Sequence, residues 1–238
     1  MGERRRVDAQ PGFVLHSYPY RETSLIIEVF TRDHGRLALL ARGARRPRSA
    51  LRGLLMAFQP IDLGWAGSGE VPTLMKAEWV GGQPLLSERA LLVGYYLNEL
   101  LINLLPREDA HERLFEVYRE TLQALARGVS EADLRRFETA LLKELGYGLT
   151  LDHDRAGRAV LPDRAYRYEI EHGAVALSEG ESAAIVVRGK TLLDMAAGEF
   201  SDPVSAAQAK QFMRTLMHYY LGGKTMETRR ILRELQGT

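Results

Sequence analysis

Arginine carries a planar guanidinium fork that matches phosphate oxygens two at a time. Residues 36–53, RLALLARGARRPRSALRG, hold six of them, Arg36, Arg42, Arg45, Arg46, Arg48 and Arg52, and no acidic residue. Their neighbours are mostly small, which lets a sugar-phosphate chain approach the backbone. The concentration is local: the whole chain balances 32 Lys+Arg against 31 Asp+Glu for a net charge of +1. We read the stretch as a footprint for polyanion backbone that does not read base sequence, with Arg4, Arg5 and Arg6 as an extension. The alternative is a solvated loop whose arginines meet acidic residues of the helical half. Phe13, Tyr18, Tyr20, Phe30 and Phe58 lie on or beside the adjoining strands. Any that face outward would stack unpaired bases, although core packing is the commoner fate of Phe.

The other candidate chemistry is thin. GGKT at 222–225 has the end of a phosphate-cradling loop, but the glycine required five positions before the Gly-Lys pair is His218, within a helical pattern. We read it as a helix stop at Gly222 and Gly223, followed by a cap at Thr225. Asp152, His153, Asp154 and His172 are metal-compatible types without a paired His spacing, so a solvated turn is the better reading. Glu99 with Glu88, and Asp62 with Glu70, show nothing beyond ordinary surface carboxylates. There is no G-x-S-x-G elbow and, without cysteine, no thiol nucleophile or disulfide. We therefore expect no enzyme, metal site or cofactor.

These groups must be positioned by two kinds of structure. Residues 12–80 read as five short strands, GFVLHSY, SLIIEVF, GRLALLAR, FQPIDLGWA and VPTLMKAEWV, with TRDHG and AGSGE supplying turns. Five short strands in so few residues fit an OB-type barrel, with an SH3-like barrel as the rival. From Pro84 the period becomes helical. Ser87 caps a segment ending before Pro106, Asp109 and Glu112 have capping-box spacing, and Ser130 starts SEADLRRFETALLKELG. A polar excursion at 147–178 contains YRYEIEHGAVAL, a hairpin turning at His172 and Gly173, and two helices close the chain. The expected fold class is α+β in two parts: a five-stranded OB-type barrel at 1–80, then an α-helical bundle at 81–238 with a small β-hairpin.

In their order along nearly the whole chain, GFVLHSYPYRETSLIIEVFT, GRLALLARGARR, GEVPTLMKAEWV, YYLNELL, LRRFETALLKELGYGL, YRY and YLGGKTMETRRILREL resemble the RecO family of bacterial recombination and repair mediators. The resemblance implies an OB barrel with a helical domain, binding of single- and double-stranded DNA, and annealing of complementary strands. It implies partnership with RecR, sometimes RecF, and with the acidic C-terminal tail of single-stranded DNA-binding protein, so that RecA loads on the strand. Many relatives hold zinc through four cysteines in the region of the excursion, and the absence of cysteine here implies a zinc-free variant. Arg135 and Arg136 match the family stretch near the tail-binding site. We expect Arg135 to clamp the terminal carboxylate, Arg136 to sit beside it, and Leu97, Leu122 and Leu125 to line the groove. The alternative for these arginines is to solvate a helix end or pair with Glu131 and Asp133.

The leading expectation is an annealing mediator without turnover chemistry. Its rival is an adaptor whose basic loop binds an acidic protein, with DNA affinity incidental. No apolar run is long enough to span a membrane and no secretory signal precedes the first strand, so a cytoplasmic location is expected. A monomer is expected because the bundle leaves no apolar helix face over.

Overall fold

The computed structural model describes residues 5–178 and 180–235. Five strands, β1 (Arg5–Tyr20), β2 (Ser24–Thr31), β3 (Gly35–Ala41), β4 (Pro60–Gly67) and β5 (Thr73–Trp79), close a barrel in the order β1-β2-β3-β5-β4. All neighbours are antiparallel except β3 and β5, which meet in parallel where the Leu40 N–H donates to the Pro72 carbonyl at 2.8 Å. This is the expected OB-type barrel. One strand serves both β2 and β4 because β1 is bent by register shifts between Val7 and Gln10 and between Val14 and His16. At the first bend a Cβ on Gly64 would lie 2.6 Å from the Asp8 carbonyl oxygen, so only glycine lets β4 come this close. Inward side chains of the alternating strands, among them Val14, Ile27, Val29, Leu37, Leu39, Ile61, Leu63 and Trp65, fill the barrel.

Between β3 and β4 lies a four-residue helix, α1 (Leu51–Leu54). The barrel packs on α2 (Glu88–Leu104) and α3 (Glu112–Arg127). Phe13 meets Phe115 and Tyr118 with ring centroids 5.6 and 5.2 Å apart, and Phe30 lies 5.5 Å from Phe115. The buried Tyr118 hydroxyl donates to Asn98 Oδ1 at 2.6 Å, and Asn98 Nδ2 donates to the Leu15 carbonyl at 2.8 Å, so the polar atoms of this contact are paired. The last helix, α7 (Glu227–Leu235), returns to α2, where Glu99 accepts the N–H groups of Glu227 and Thr228. Barrel, α2, α3 and α7 form one compact unit, residues 1–129 with 226–238.

The second unit, residues 130–225, contains α4 (Glu131–Glu144), strands β6 (Ala165–Glu169), β7 (Gly173–Ala176) and β8 (Val186–Arg188) in the order β7-β6-β8, then α5 (Gly189–Ala197) and α6 (Pro203–Tyr220). The expected hairpin is present, but it turns at 170–172, and Gly173, expected in the turn, is the first residue of β7. The compact units divide the chain at residue 129, whereas the expected division at residue 80 follows the change from strands to helices. The short elements α1, β8 and α5 were not expected. Asp109 does not cap α3, which begins at Glu112 behind His111, and the seryl side chains of Ser87 and Ser130 make no capping bond. No described helix is long and apolar enough to cross a membrane.

Candidate nucleic-acid interface

The chain leaves β3 at Ala41 and enters a loop seated at both ends. Ala44 is fully buried, Leu51 packs on the barrel core and Leu55 joins it. The Arg45 N–H donates to the Thr23 carbonyl at 2.8 Å, and its guanidinium reaches the Arg21 carbonyl at 3.3 Å, tying the loop to the β1–β2 turn. Successive turns follow: Arg46 N–H to Gly43, Ser49 N–H to Arg46, Arg52 N–H to Ser49. Gly43 sits at φ +67°, a conformation that favours glycine and starts this series. With its apolar residues turned inward, the loop exposes Arg42, Arg45, Arg46, Arg48 and Arg52. Among the described residues none of these five forms an ion pair with a carboxylate. A depression of about 370 Å³ opens in the loop, with Leu25, Ala44, Leu51 and Leu55 beside Arg45 and Arg52.

Arg36 is different. It lies within β3, its side chain only 12% exposed, with Nη1 2.9 Å from Glu28 Oε2. Its Nε and Nη2 both donate to the Leu105 carbonyl, at 3.1 and 2.9 Å. Arg107 holds the other oxygen of Glu28. The expectation that Arg36 contacts phosphate is corrected: the buried Glu28 carboxylate and the orphan carbonyl at the end of α2 claim it. Arg4 lies outside the described residues, and Arg6 is paired with Asp8 at 2.7 Å.

The aromatic residues divide as well. Phe13, Phe30 and Phe58 are core, whereas Tyr18 is 44% exposed, its ring 4.4 Å from that of His16. Tyr20 is half-buried under the Arg21 guanidinium, which lies 5.3 Å from the ring centroid. Arg21 was missed in the sequence because it stands outside the arginine run, and only the bond from Arg45 brings it in. Met75 and Trp79 are 69% and 63% exposed on β5, against which α1 packs. A second cavity, of about 540 Å³, lies among Val7, Leu37, Trp65 and Pro72. Glu70 and Glu108 also line it, so its charge does not suit phosphate.

The expected groove for an acidic tail is not assembled by its named residues. Leu97 and Leu122 are wholly buried and Leu125 is 1% exposed, so they are interior. Arg135 is buried in an ion pair with Glu138 at 2.8 Å and faces Glu131 at 3.9 Å, so it holds α4 instead of waiting for a carboxylate. Arg136, one residue on, is half-exposed. It pairs with Asp133, donates to the Gly198 carbonyl, and lies 6.0 Å from the Phe200 ring centroid.

The remaining polar clusters are structural. Asp154 is buried and accepts the N–H groups of Ala156 and Arg158 and the Arg158 guanidinium, all within 2.9 Å. The Arg158 main-chain bond, then its side chain and the Ala156 bond, hold this carboxyl below its usual range. Asp152 is likewise held low, chiefly by His153. No group of three or more His, Asp or Glu among the described residues converges as a metal site would require. GGKT ends α6 as a helix stop, with Gly222 and Gly223 at φ +62° and +77°. The cap of α7 is Glu99, which replaces the expected Thr225.

The site therefore consists of cations and a few rings on a rim tied to the β1–β2 turn. Family models described as Recombination protein O N terminal and Recombination protein O C terminal match residues 7–83 and 88–229. The chain belongs to the RecO family. It is 64% identical to DNA repair protein RecO of Dechloromonas aromatica and 55% identical to that of Aromatoleum aromaticum, over 99% of both chains in each case. Identity to the RecO of Ralstonia nicotianae is 54%, over 97% of this chain and 86% of the relative. The break between the two RecO matches falls near residue 85, where strands give way to helices.

Proposed function

We propose that this RecO-family protein is a recombinational DNA repair mediator that binds single- and double-stranded DNA and anneals complementary strands. In this reading it makes no covalent change to the DNA. The observation that carries the reading is the loop of Arg42, Arg45, Arg46, Arg48 and Arg52, exposed, free of carboxylates among the described residues and anchored to the β1–β2 turn. Annealing needs two polyanions held together with their bases left free to pair. Guanidinium groups on a fixed rim offset phosphate repulsion without engaging base edges, so any complementary pair is accepted. Membership of the family supports the partners: RecR, sometimes RecF, and the acidic tail of single-stranded DNA-binding protein, which together help RecA to load in the cytoplasm. Arg136 beside Phe200 is the accessible cation in the stretch matched to tail binding, and it takes the role first given to Arg135.

The test is single-strand binding and annealing across a salt series, for the wild type and for R42A/R45A/R46A/R48A. Each phosphate contact contributes about −0.7 to the slope of log K against log salt on single strands, so the variant should lose a slope of about 3. Unchanged slope, affinity and annealing in a folded variant would overturn the reading. Retained DNA binding with lost affinity for an acidic protein would favour the adaptor.

A further inference from the structure

Two helices of the second unit end in the same way, and both ends carry tyrosines. After α4, the Gly146 N–H donates to the Lys143 carbonyl and the Tyr147 N–H to the Leu142 carbonyl, at 3.1 and 2.8 Å. After α6, the Gly222 N–H donates to Tyr219 and the Gly223 N–H to His218, both at 2.9 Å. These paired bonds close the last turn of each helix and fix the residues around the glycine. They bring the Tyr147 and Tyr220 rings into a stack, centroids 4.3 Å apart and planes 25° from parallel. Tyr219 meets Tyr220 edge-on at 5.3 Å.

The rings are ordered but not hidden. Tyr147 is 43% exposed and Tyr219 50%. Lys143, Arg214, His218 and Lys224 are exposed on the same two helix ends, Arg214 and His218 one turn apart on α6. The Tyr219 hydroxyl donates to Glu171 Oε1 at 3.4 Å. Burial, then the charge of Glu171, pushes the Tyr220 hydroxyl up. Flat rings flanked by the cations Lys143, Arg214 and Lys224 match the two faces of an unpaired nucleotide, an apolar base and a charged phosphate.

We propose that Tyr147, Tyr219 and Tyr220, with Lys143, His218 and Lys224 beside them, form a second contact for single-stranded nucleic acid that works by base stacking. The proposal rests on the reading of the protein as a DNA-binding mediator, and it adds a surface outside the barrel. Its consequence is selectivity. A base on a tyrosine is available only while unpaired, so the contact favours single strands over duplex and lets go as annealing restacks the bases. The arginine loop, which engages phosphate, makes no such distinction.

The experiment uses the full chain and an oligo(dT) carrying 5-iodouracil. Irradiation of the wild-type complex should crosslink Tyr147 or Tyr219, and crosslinks confined to the barrel would overturn the proposal. In parallel, Y147A/Y219A should bind single strands about tenfold more weakly, with an unchanged salt slope and unchanged duplex affinity. Y147F/Y219F, which keeps the rings, should bind as the wild type. An alanine pair that binds single strands normally, or loses duplex affinity equally, would also overturn it. If the alanine pair does not fold, the crosslink map of the wild type decides alone. Failure of the proposed function reads differently, because the wild type would then show no binding to oligo(dT) in any salt.

Discussion

Substituting Arg36 by alanine should unfold the first unit more easily and leave the DNA footprint intact, the reverse of what the arginine run implies. The side chains of Arg36 and Glu28 are 12% and 5% exposed. Removing the guanidinium leaves Glu28 with Arg107 alone, itself 47% exposed, and takes two donors from the Leu105 carbonyl. Breaking a buried pair costs about 3–5 kcal/mol, and the surviving Arg107 places this case near the lower end, at about 3 kcal/mol. For a unit of this size that is a fall of roughly 6–12 °C in Tm. The assay is specific to the unit, because the chain has only two tryptophans and both, Trp65 and Trp79, belong to the barrel. Tryptophan fluorescence in urea should show R36A shifted to lower denaturant while R42A stays within about 0.5 kcal/mol of wild type. In the DNA salt series R42A should lose about 0.7 of slope and R36A none. A stable R36A with a reduced slope would refute the assignment of Arg36 to the fold.

Three further outcomes follow from the same geometry. Leu122→Ala should cost about 2–5 kcal/mol in the tryptophan-monitored transition, because a wholly buried leucine leaves a cavity, and a change confined to peptide binding would restore it to a groove. Glu99→Ala removes the acceptor of the first amides of α7. It should cost about 1–2 kcal/mol and speed hydrogen exchange at 227–231, and unaltered exchange there would show that α7 is held by other contacts. Asp154, Asp152 and Asp202 all have carboxyls held below the usual range, Asp154 first by the Arg158 amide, Asp152 by His153 and Asp202 by Ser205. A depressed folded-state pKa contributes stability that is complete above the unfolded value of about 4 and lost as pH falls through the folded one. Circular dichroism should therefore show the second unit weakening in acid, and D154N should be less stable than wild type at neutral pH but lose less between pH 5 and 2. Equal acid sensitivity of the two would exclude Asp154 as a contributor.

The barrel was legible because each strand is bounded by turn residues, Asp33 to Gly35 and Gly67 to Gly69 among them, and because β2 and β3 place Ile27, Val29, Leu37 and Leu39 on one face. The full reach of β1 was not legible, since its two bends come from register shifts against β2 and β4 that no local pattern announces. Helix α5 escaped because GKTLLDMAA is short and opens on glycine. That glycine is required by packing, as a Cβ on Gly189 would lie 1.9 Å from the Leu161 carbonyl oxygen. For Leu97, Leu122 and Leu125, helical periodicity marked the face that is covered but said nothing of what covers it. Reading them as groove lining took a buried face for an open one.

The arginines carry a sharper lesson, because composition grouped them and position separates them. Those committed to the fold each have an acid at a spacing that secondary structure converts into contact. Arg36 faces Glu28 diagonally across β2 and β3, whose register pairs Phe30 with Arg36 and Glu28 with Ala38. Arg135 has Glu131 four residues before it and Glu138 three after, both on its face of α4. Arg158 has Asp154 four residues before it, inside a turn that the carboxylate organises. A lone glutamate in the apolar strand SLIIEVF was itself the sign that some cation would be drawn inward. From Arg42 to Arg52 there is no acid to claim any guanidinium, and no strand or helix long enough to import one by periodicity. Charge left unanswered at both local and cross-strand spacing, on a backbone pinned to the barrel, leaves these five arginines exposed without a carboxylate partner among the described residues, which is what the proposed polyanion footprint requires.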